Sequence, residues 1–218
     1  MSYELLPDHL STYLEGLVPT RLPEMQAMEA YAQKIGFPII GSPSGQLCYQ
    51  IARISGARRI FEMGSGFGYS TAWFARAVEE NGGGEVYHVV WDGDLSRQAR
   101  QHLGAIGFGN NGSRVTVHFQ VSEAIQALKR TDGTFDLIFN DIDKHAYPES
   151  LPVIREKLRP GGVLIVDNLL WHGRIFDQTD QSEDTKAIHQ FTDLMTNDPG
   201  WITTIVPIRD GVMIAYKV

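Results

Sequence analysis

The sequence predicts an α/β fold: a mostly parallel sheet of seven strands covered by helices, with a C-terminal antiparallel hairpin and an N-terminal helical cap. Three observations carry this prediction. From residue 58 onward, short apolar runs alternate with stretches of helical periodicity, the pattern of a parallel sheet with helices on both faces. The first run breaks at Gly64, Gly66 and Gly68, immediately before a helical stretch. The last two runs are joined by Arg209-Asp210, too short for a crossover, so they must pair antiparallel.

In chain order, helices are expected over residues 7–17, 23–35 and 45–54, with Pro38, Gly41, Pro43 and Gly45 breaking them apart. The first strand spans 58–63 and feeds a helix over 71–80 whose Trp73, Phe74, Ala77 and Val78 share one side. Strands at 86–91, 115–119 and 135–141 are followed by helices at 95–106, 123–129 and 149–158. A strand at 163–167 and the hairpin strands 202–208 and 211–216 complete the sheet. One domain over 1–218 is expected, with 1–57 as a cap too poor in apolar residues to fold alone and 58–218 as the core. The cap is placed over the site and in a homodimer contact.

Composition narrows the function. With 218 residues and 43% hydrophobic content the chain can bury one substantial core. A formal net charge of −7 argues against nucleic acid as the main partner, since phosphate binding needs a basic surface. Cys48 is the single cysteine, which excludes an internal disulfide and a thiolate metal cluster and reads as a small buried hydrophobe. The first residues lack the basic start and apolar run of a signal peptide, and no span is long and apolar enough for a membrane helix. A cytoplasmic protein is therefore expected.

The glycine turn is the strongest local signal. At a strand-to-helix turn, glycines permit positive φ and close backbone approach, and the helix N-terminus offers free N–H groups to an anionic ligand. A dinucleotide loop, G-x-G-x-x-G, would place its third glycine one position later. Here Glu62 precedes the first glycine by two positions, giving E-x-G-x-G-x-G. An acid beside free N–H donors suits a ligand carrying both an ammonium and a carboxylate. A tight structural turn remains the competing reading.

Two further strand ends are polar. The apolar run to Phe139 continues into Asn140-Asp141-Ile142-Asp143-Lys144, and the run to Val166 into Asp167-Asn168. In a doubly wound sheet ligands bind beyond the carboxyl ends of the strands. Asp141, Asp167 and Asn168 would direct two carboxylates and one amide oxygen to a common point, a donor set suited to Mg²⁺ rather than zinc or copper. Capping of the following turns is the plainer alternative for each cluster alone.

Together these segments resemble the cation-dependent O-methyltransferases that include the catechol and caffeoyl-CoA enzymes. The run 141–147 is similar to D-A-D-K-x-x-Y, the run 159–173 to R-P-G-G-x-x-x-x-D-N-x-x-W-x-G, and the Glu62 turn to the S-adenosylmethionine motif. With Gly45-Gln46-Leu47 and Asp210-Gly211 the resemblance covers about residues 8–218. It implies a Rossmann-like methyltransferase fold, S-adenosylmethionine as cofactor, a divalent cation (Mg²⁺, or Mn²⁺ or Ca²⁺) and a phenolic small molecule with two adjacent oxygens as acceptor. It also implies roles: Asp141, Asp167 and Asn168 as metal ligands, Lys144 as base, and Glu62, Gly64, Ser65, Ser70, Ala124 and Asp141 as cofactor contacts. Trp171 becomes a candidate wall of the acceptor pocket.

The chain departs from the family pattern at four places. Val90 stands where an acid ordinarily holds the ribose hydroxyls, so Asp92, two residues on, is expected to reach them through an altered turn. Ser122 replaces a glycine, Ile142 an alanine, and Ser44 an acid. His172, Arg174 and the polar run 177–184 are expected to form a variable rim. Two alternatives stay open: a metal-independent methyltransferase, and a non-catalytic S-adenosylmethionine-binding protein.

Overall fold

The computed structural model describes residues 7–218. Three helices precede the sheet: α1 (Asp8–Leu17), α2 (Pro23–Ile35) and α3 (Gly41–Ile54). The last begins earlier than the sequence suggested. Gly41 and Pro43 lie in its first turn, with Gly45 just after it, rather than breaking the chain, because first-turn N–H groups have no intrahelical partner and a proline there forfeits nothing.

The strands are β1 (Arg59–Met63), β2 (Gly84–Val90), β3 (Val115–Val121), β4 (Phe135–Asn140), β5 (Leu158–Val166), β6 (Trp201–Val206) and β7 (Val212–Lys217). They form a sheet of seven in the order β3-β2-β1-β4-β5-β7-β6. The first five are mutually parallel, and β7 pairs antiparallel with β5 and β6. The strand order reverses direction between β1 and β4, so the crevice where ligands collect in such sheets falls there. β5 starts five residues before its expected position, with a register shift where Pro160-Gly161-Gly162 pass the edge of β4. The β6–β7 connection occupies residues 207–211, longer than the two residues expected.

The linking helices are α4 (Tyr69–Glu80), α5 (Gly93–Ile106), α6 (Ala124–Arg130) and α7 (Tyr147–Lys157), the last entered through a short 3₁₀ turn at Lys144–Ala146. An eighth helix, α8 (Glu183–Thr196), follows a 3₁₀ segment at Trp171–Phe176. The sequence suggested no helix here, yet Ser182 caps it by accepting from Thr185 N, and Ile188, Phe191 and Met195 are buried at helical spacing.

Side chains of the central strands alternate between two apolar layers. Leu137 and Phe139 of β4 and Ile165 of β5 pack with the cap residues Met25, Met28, Ala32 and Cys48 and with α4. Phe135, Ile138, Leu164 and Val166 pack on the opposite face with α6, α7 and α8. The cap therefore shares a core with the sheet, which fixes it over the strand ends. Among the described residues no helix is long and apolar enough to cross a membrane.

Candidate active site

The carboxyl ends of β1, β2, β4 and β5 open onto a cleft of about 1370 Å³. A typical small-molecule site spans roughly 300–1,000 Å³, so the cleft has room for two ligands side by side. Val90, Trp91 and Ala124 line it on the β2–β3 side; Asp167, Asn168, Trp171 and Arg209 line it on the β5–β7 side.

Between them lies the glycine turn. Gly64 has φ +87°, and a Cβ there would lie 2.3 Å from the Asp141 carbonyl oxygen, so this turn packs directly on the end of β4. Ser65 pins the turn to β2: its N donates to Val89 O at 2.9 Å and its Oγ accepts from Val89 N at 2.9 Å. Gly64, Ser65 and Ser70 all line the cleft. Glu62 does not. It is fully buried beneath the turn, where Thr71 Oγ1 donates to its Oε2 at 2.5 Å. Burial pushes the Glu62 carboxyl up to about 7 despite hydrogen bonds from Ser70, Thr71 and Ser65. His88 pairs with Glu62 across β1 and β2, and its Nδ1 stands 3.0 Å from Thr71 Oγ1. Burial pulls the His88 imidazole down to about 3, which keeps it neutral.

Asp92 is placed differently from expectation. It caps α5, its Oδ1 accepting from Asp94 N at 2.7 Å and Leu95 N at 3.1 Å, and it does not line the cleft. An ordinary capped turn follows β2, and exposed Trp91 stands at the rim.

The polar cluster assembles at the ends of β4 and β5. Asp141 N donates to Met63 O at 2.9 Å and Asp167 N to Asn140 O at 3.2 Å, so both acids sit one step beyond paired strands. Lys144 Nζ donates to Asp141 Oδ1 at 2.8 Å and to Ile142 O at 3.1 Å. Burial pushes both carboxyls up; the charge of Asp141 adds to this at Asp167, and Lys144 counters it at Asp141. Burial by itself would lower the Lys144 ammonium, but Tyr147 and Asp141 outweigh it and hold the group above the ordinary lysine value. The downward shift expected of a catalytic base is not present in this arrangement.

Sequence reasoning treated Asp210 as a turn residue, yet it organises this end of the cleft. It is buried, its Oδ2 accepts from Asn168 Nδ2 at 3.2 Å, and its Oδ1 accepts from the His172 backbone N. With Nδ2 committed to Asp210, the Asn168 carbonyl oxygen is left for another partner. The non-glycine residues with positive φ among those described are Asn168, Trp171, His172 and Arg209, all lining this cleft. Such conformations cost about 1–3 kcal/mol each and persist where surrounding contacts over-determine them. A buried acid between two apolar strands was the available signal for Asp210, but its partner lies far back in the chain.

Comparison with known proteins agrees with this geometry. The sequence model of a family described as O-methyltransferase matches residues 20–218. A protein of Mycolicibacterium vanbaalenii bearing an O-methyltransferase name is 27% identical over 186 residues, covering 85% of this chain and 80% of that one. The structure of a methyltransferase from Geobacter sulfurreducens superimposes with a TM-score of 0.81 at 26% identity, over 99% of this chain and 100% of that one. The O-methyltransferase TomG from Streptomyces achromogenes, solved in complex with SAM, shares the fold with a TM-score of 0.82 at 23% identity, over 96% of each chain. With the family match running from the cap to the last strand, and the seven-stranded Rossmann-like methyltransferase sheet beneath it, the chain belongs to the O-methyltransferase family.

Proposed function

We propose that this enzyme transfers a methyl group from S-adenosylmethionine to one oxygen of a vicinal diphenol, with the help of a divalent cation. The observation that carries the reading is the convergence of Asp141, Asp167, Asn168 and Lys144 beside the glycine turn, in a cleft with room for two ligands. Gly64, Ser65, Ser70 and Ala124 would hold the cofactor, with Asp141 between cofactor and cation and Glu62 acting from beneath the turn. TomG, which binds SAM, supports the choice of cofactor through its shared fold. A cap exposing Leu10, Tyr13 and Leu17 of α1 supports a homodimer, and the net charge of −7 supports an enzyme without nucleic-acid partners.

The donor set fits a hard cation. Among the described residues no group of three His, Cys, Asp or Glu side chains could hold a metal, so the candidate ligands are two carboxylates completed by an amide. Burial raises the proton affinity of both Asp141 and Asp167, the charge of Asp141 raises that of Asp167 further, and the Asn168 oxygen is freed by Asp210. An oxygen-only set of this kind favours Mg²⁺, Mn²⁺ or Ca²⁺. When bound, the cation supplies positive charge against the negative charge that develops on the acceptor oxygens. The chain's own part is to align acceptor and cofactor in one cleft, to exclude water with the cap, and to take up the phenolic proton on Lys144 Nζ.

Two tests follow from this reading. A vicinal diphenol should exceed its single-hydroxyl analogue in kcat/KM by on the order of 10², because a site built for two oxygens is left partly unpaired by one. Equal kcat/KM values would remove the diol from the proposal. Asp92, which does not line the cleft in this structure, would reach the ribose only through Oδ2, the oxygen that capping does not use. Asp92→Ala should therefore cost about 1 kcal/mol of stability as a lost cap and weaken cofactor binding about tenfold. Titration calorimetry that finds a lowered Tm with unchanged affinity would assign Asp92 to the cap alone.

A further inference from the structure

Basic side chains lining the cleft are Arg21, Lys144, His145, His172 and Arg209. Four of them face a carboxylate: Arg21 that of Glu29 at 2.8 Å, Lys144 that of Asp141 at 2.8 Å, His145 that of Asp184 at 3.6 Å and His172 that of Asp210 at 3.5 Å. Arg209 has no ion-pair partner among the described residues. It is also exposed and sits in the β6–β7 turn at φ +50°. A left-handed arginine is a strained choice, and strain of this kind gathers at functional sites.

The turn directs the side chain across the cleft mouth toward the cap. Arg209 Nη1 donates to Ile39 O at 3.0 Å, and the guanidinium lies over Gly41, where an added Cβ would overlap it. That bond uses one of five N–H donors. The guanidinium is therefore held in place by a backbone carbonyl while its charge is left unmatched. A guanidinium fork anchored by one hydrogen bond and without an ion pair, at the entrance of an acceptor site, matches a carboxylate in geometry and charge.

We propose that Arg209 is a specificity residue that binds a carboxylate substituent on the acceptor, so that the preferred substrates are diphenols carrying a carboxylic acid away from the reacting pair of oxygens. The proposal rests on the diphenol reading above. Apolar Ile39 and Ile40 and the ring of Trp171 line the same cleft and suit the aromatic body of such an acceptor, leaving Arg209 for its charged end.

The test compares 3,4-dihydroxybenzoate with its methyl ester and with catechol, using S-adenosylmethionine and Mg²⁺, for the wild-type enzyme and for Arg209→Met and Arg209→Lys. For the wild type, kcat/KM should favour the acid over the ester. In Arg209→Met the acid-to-ester ratio should fall by roughly 10- to 100-fold, the scale of a hydrogen bond to a charged group, with Arg209→Lys retaining part of it. Calorimetric binding of the acid and of the ester to the complex with S-adenosylhomocysteine and Mg²⁺ should show the same selective loss, and S-adenosylhomocysteine affinity verifies that each variant is folded. An unchanged ratio overturns the proposal and returns Arg209 to a latch between hairpin and cap. A wild-type enzyme that methylates none of the three compounds overturns the diphenol reading, and this proposal with it; turnover without preference for the acid overturns the Arg209 assignment alone.

Discussion

Exhaustive chelation will abolish methyl transfer and Mg²⁺ will restore it, and Asp167→Ala will reproduce the chelated state with the fold intact. The side chain of Asp167 is buried at the end of β5, where its Oδ1 accepts only from Asn168 N of its own turn at 2.9 Å. Its backbone N remains bonded to Asn140 O in the variant, so strand pairing does not depend on the carboxylate. Removing a buried acid that is repelled by Asp141 also relieves an unfavourable interaction, which offsets the lost hydrogen bond of about 1 kcal/mol. Stability should therefore change little. Activity should fall by at least roughly 10²–10³-fold, the scale of losing a preorganised charge at a reacting oxygen. Calorimetric Mn²⁺ affinity should fall in parallel while S-adenosylmethionine affinity persists. Undiminished turnover in excess chelator would favour a metal-independent methyltransferase, with Asp141 and Asp167 as turn residues. Cofactor binding without turnover on any vicinal diphenol would favour a non-catalytic binder.

The sheet was legible because its signals are local. Apolar runs of five to seven residues, glycines at one strand-to-helix turn and a hairpin too short for a crossover mark the strands, their succession and the antiparallel closing pair without long-range information. Residues that end neighbouring strands inherit their proximity from that order. This is why Asp141, Asp167, Asn168 and Lys144 could be grouped before any coordinates.

What escaped the sequence was decided by depth or by distant partners. α8 was hidden because Glu183, Asp184, Thr185 and Lys186 make its first turn polar, and the buried Ile188, Phe191 and Met195 emerge only at helical spacing. The start of α3 was missed because Gly41 and Pro43 break helix interiors but not first turns. Glu62 was expected to line the cleft, but a strand end does not state how deep its last side chains lie, and this one is fastened under the turn by Thr71. Asp210 reaches Asn168, and Arg209 reaches Ile39, only because β7 inserts beside β5 and brings the hairpin turn under the cap. No spacing rule predicts those contacts.

Lys144→Ala should lower kcat by roughly 10²–10⁴-fold with little change in S-adenosylmethionine affinity. The argument is positional. The lysine opens the 3₁₀ turn four residues beyond the end of β4, is buried against the Tyr147 ring at 5.2 Å, and reaches Asp141 Oδ1 at 2.8 Å. If Asp141 holds a cation, an acceptor oxygen bound beside it would lie close to the same Nζ. Asp141 and Tyr147 now favour the protonated ammonium. With Asp141 engaged as a metal ligand that hold would weaken, which is what a proton acceptor at Lys144 requires. Removing the side chain also leaves Asp141 without its hydrogen-bonded counter-ion, so Lys144→Met and Lys144→Arg belong beside the alanine variant: methionine keeps the packing against Tyr147, and arginine keeps the charge but cannot serve as a base. All three should lose kcat together if proton uptake is the task. Recovery by arginine would instead make Lys144 an electrostatic anchor for Asp141, and near-normal kcat in the methionine variant would leave it a packing residue, with the phenolic proton passing to water.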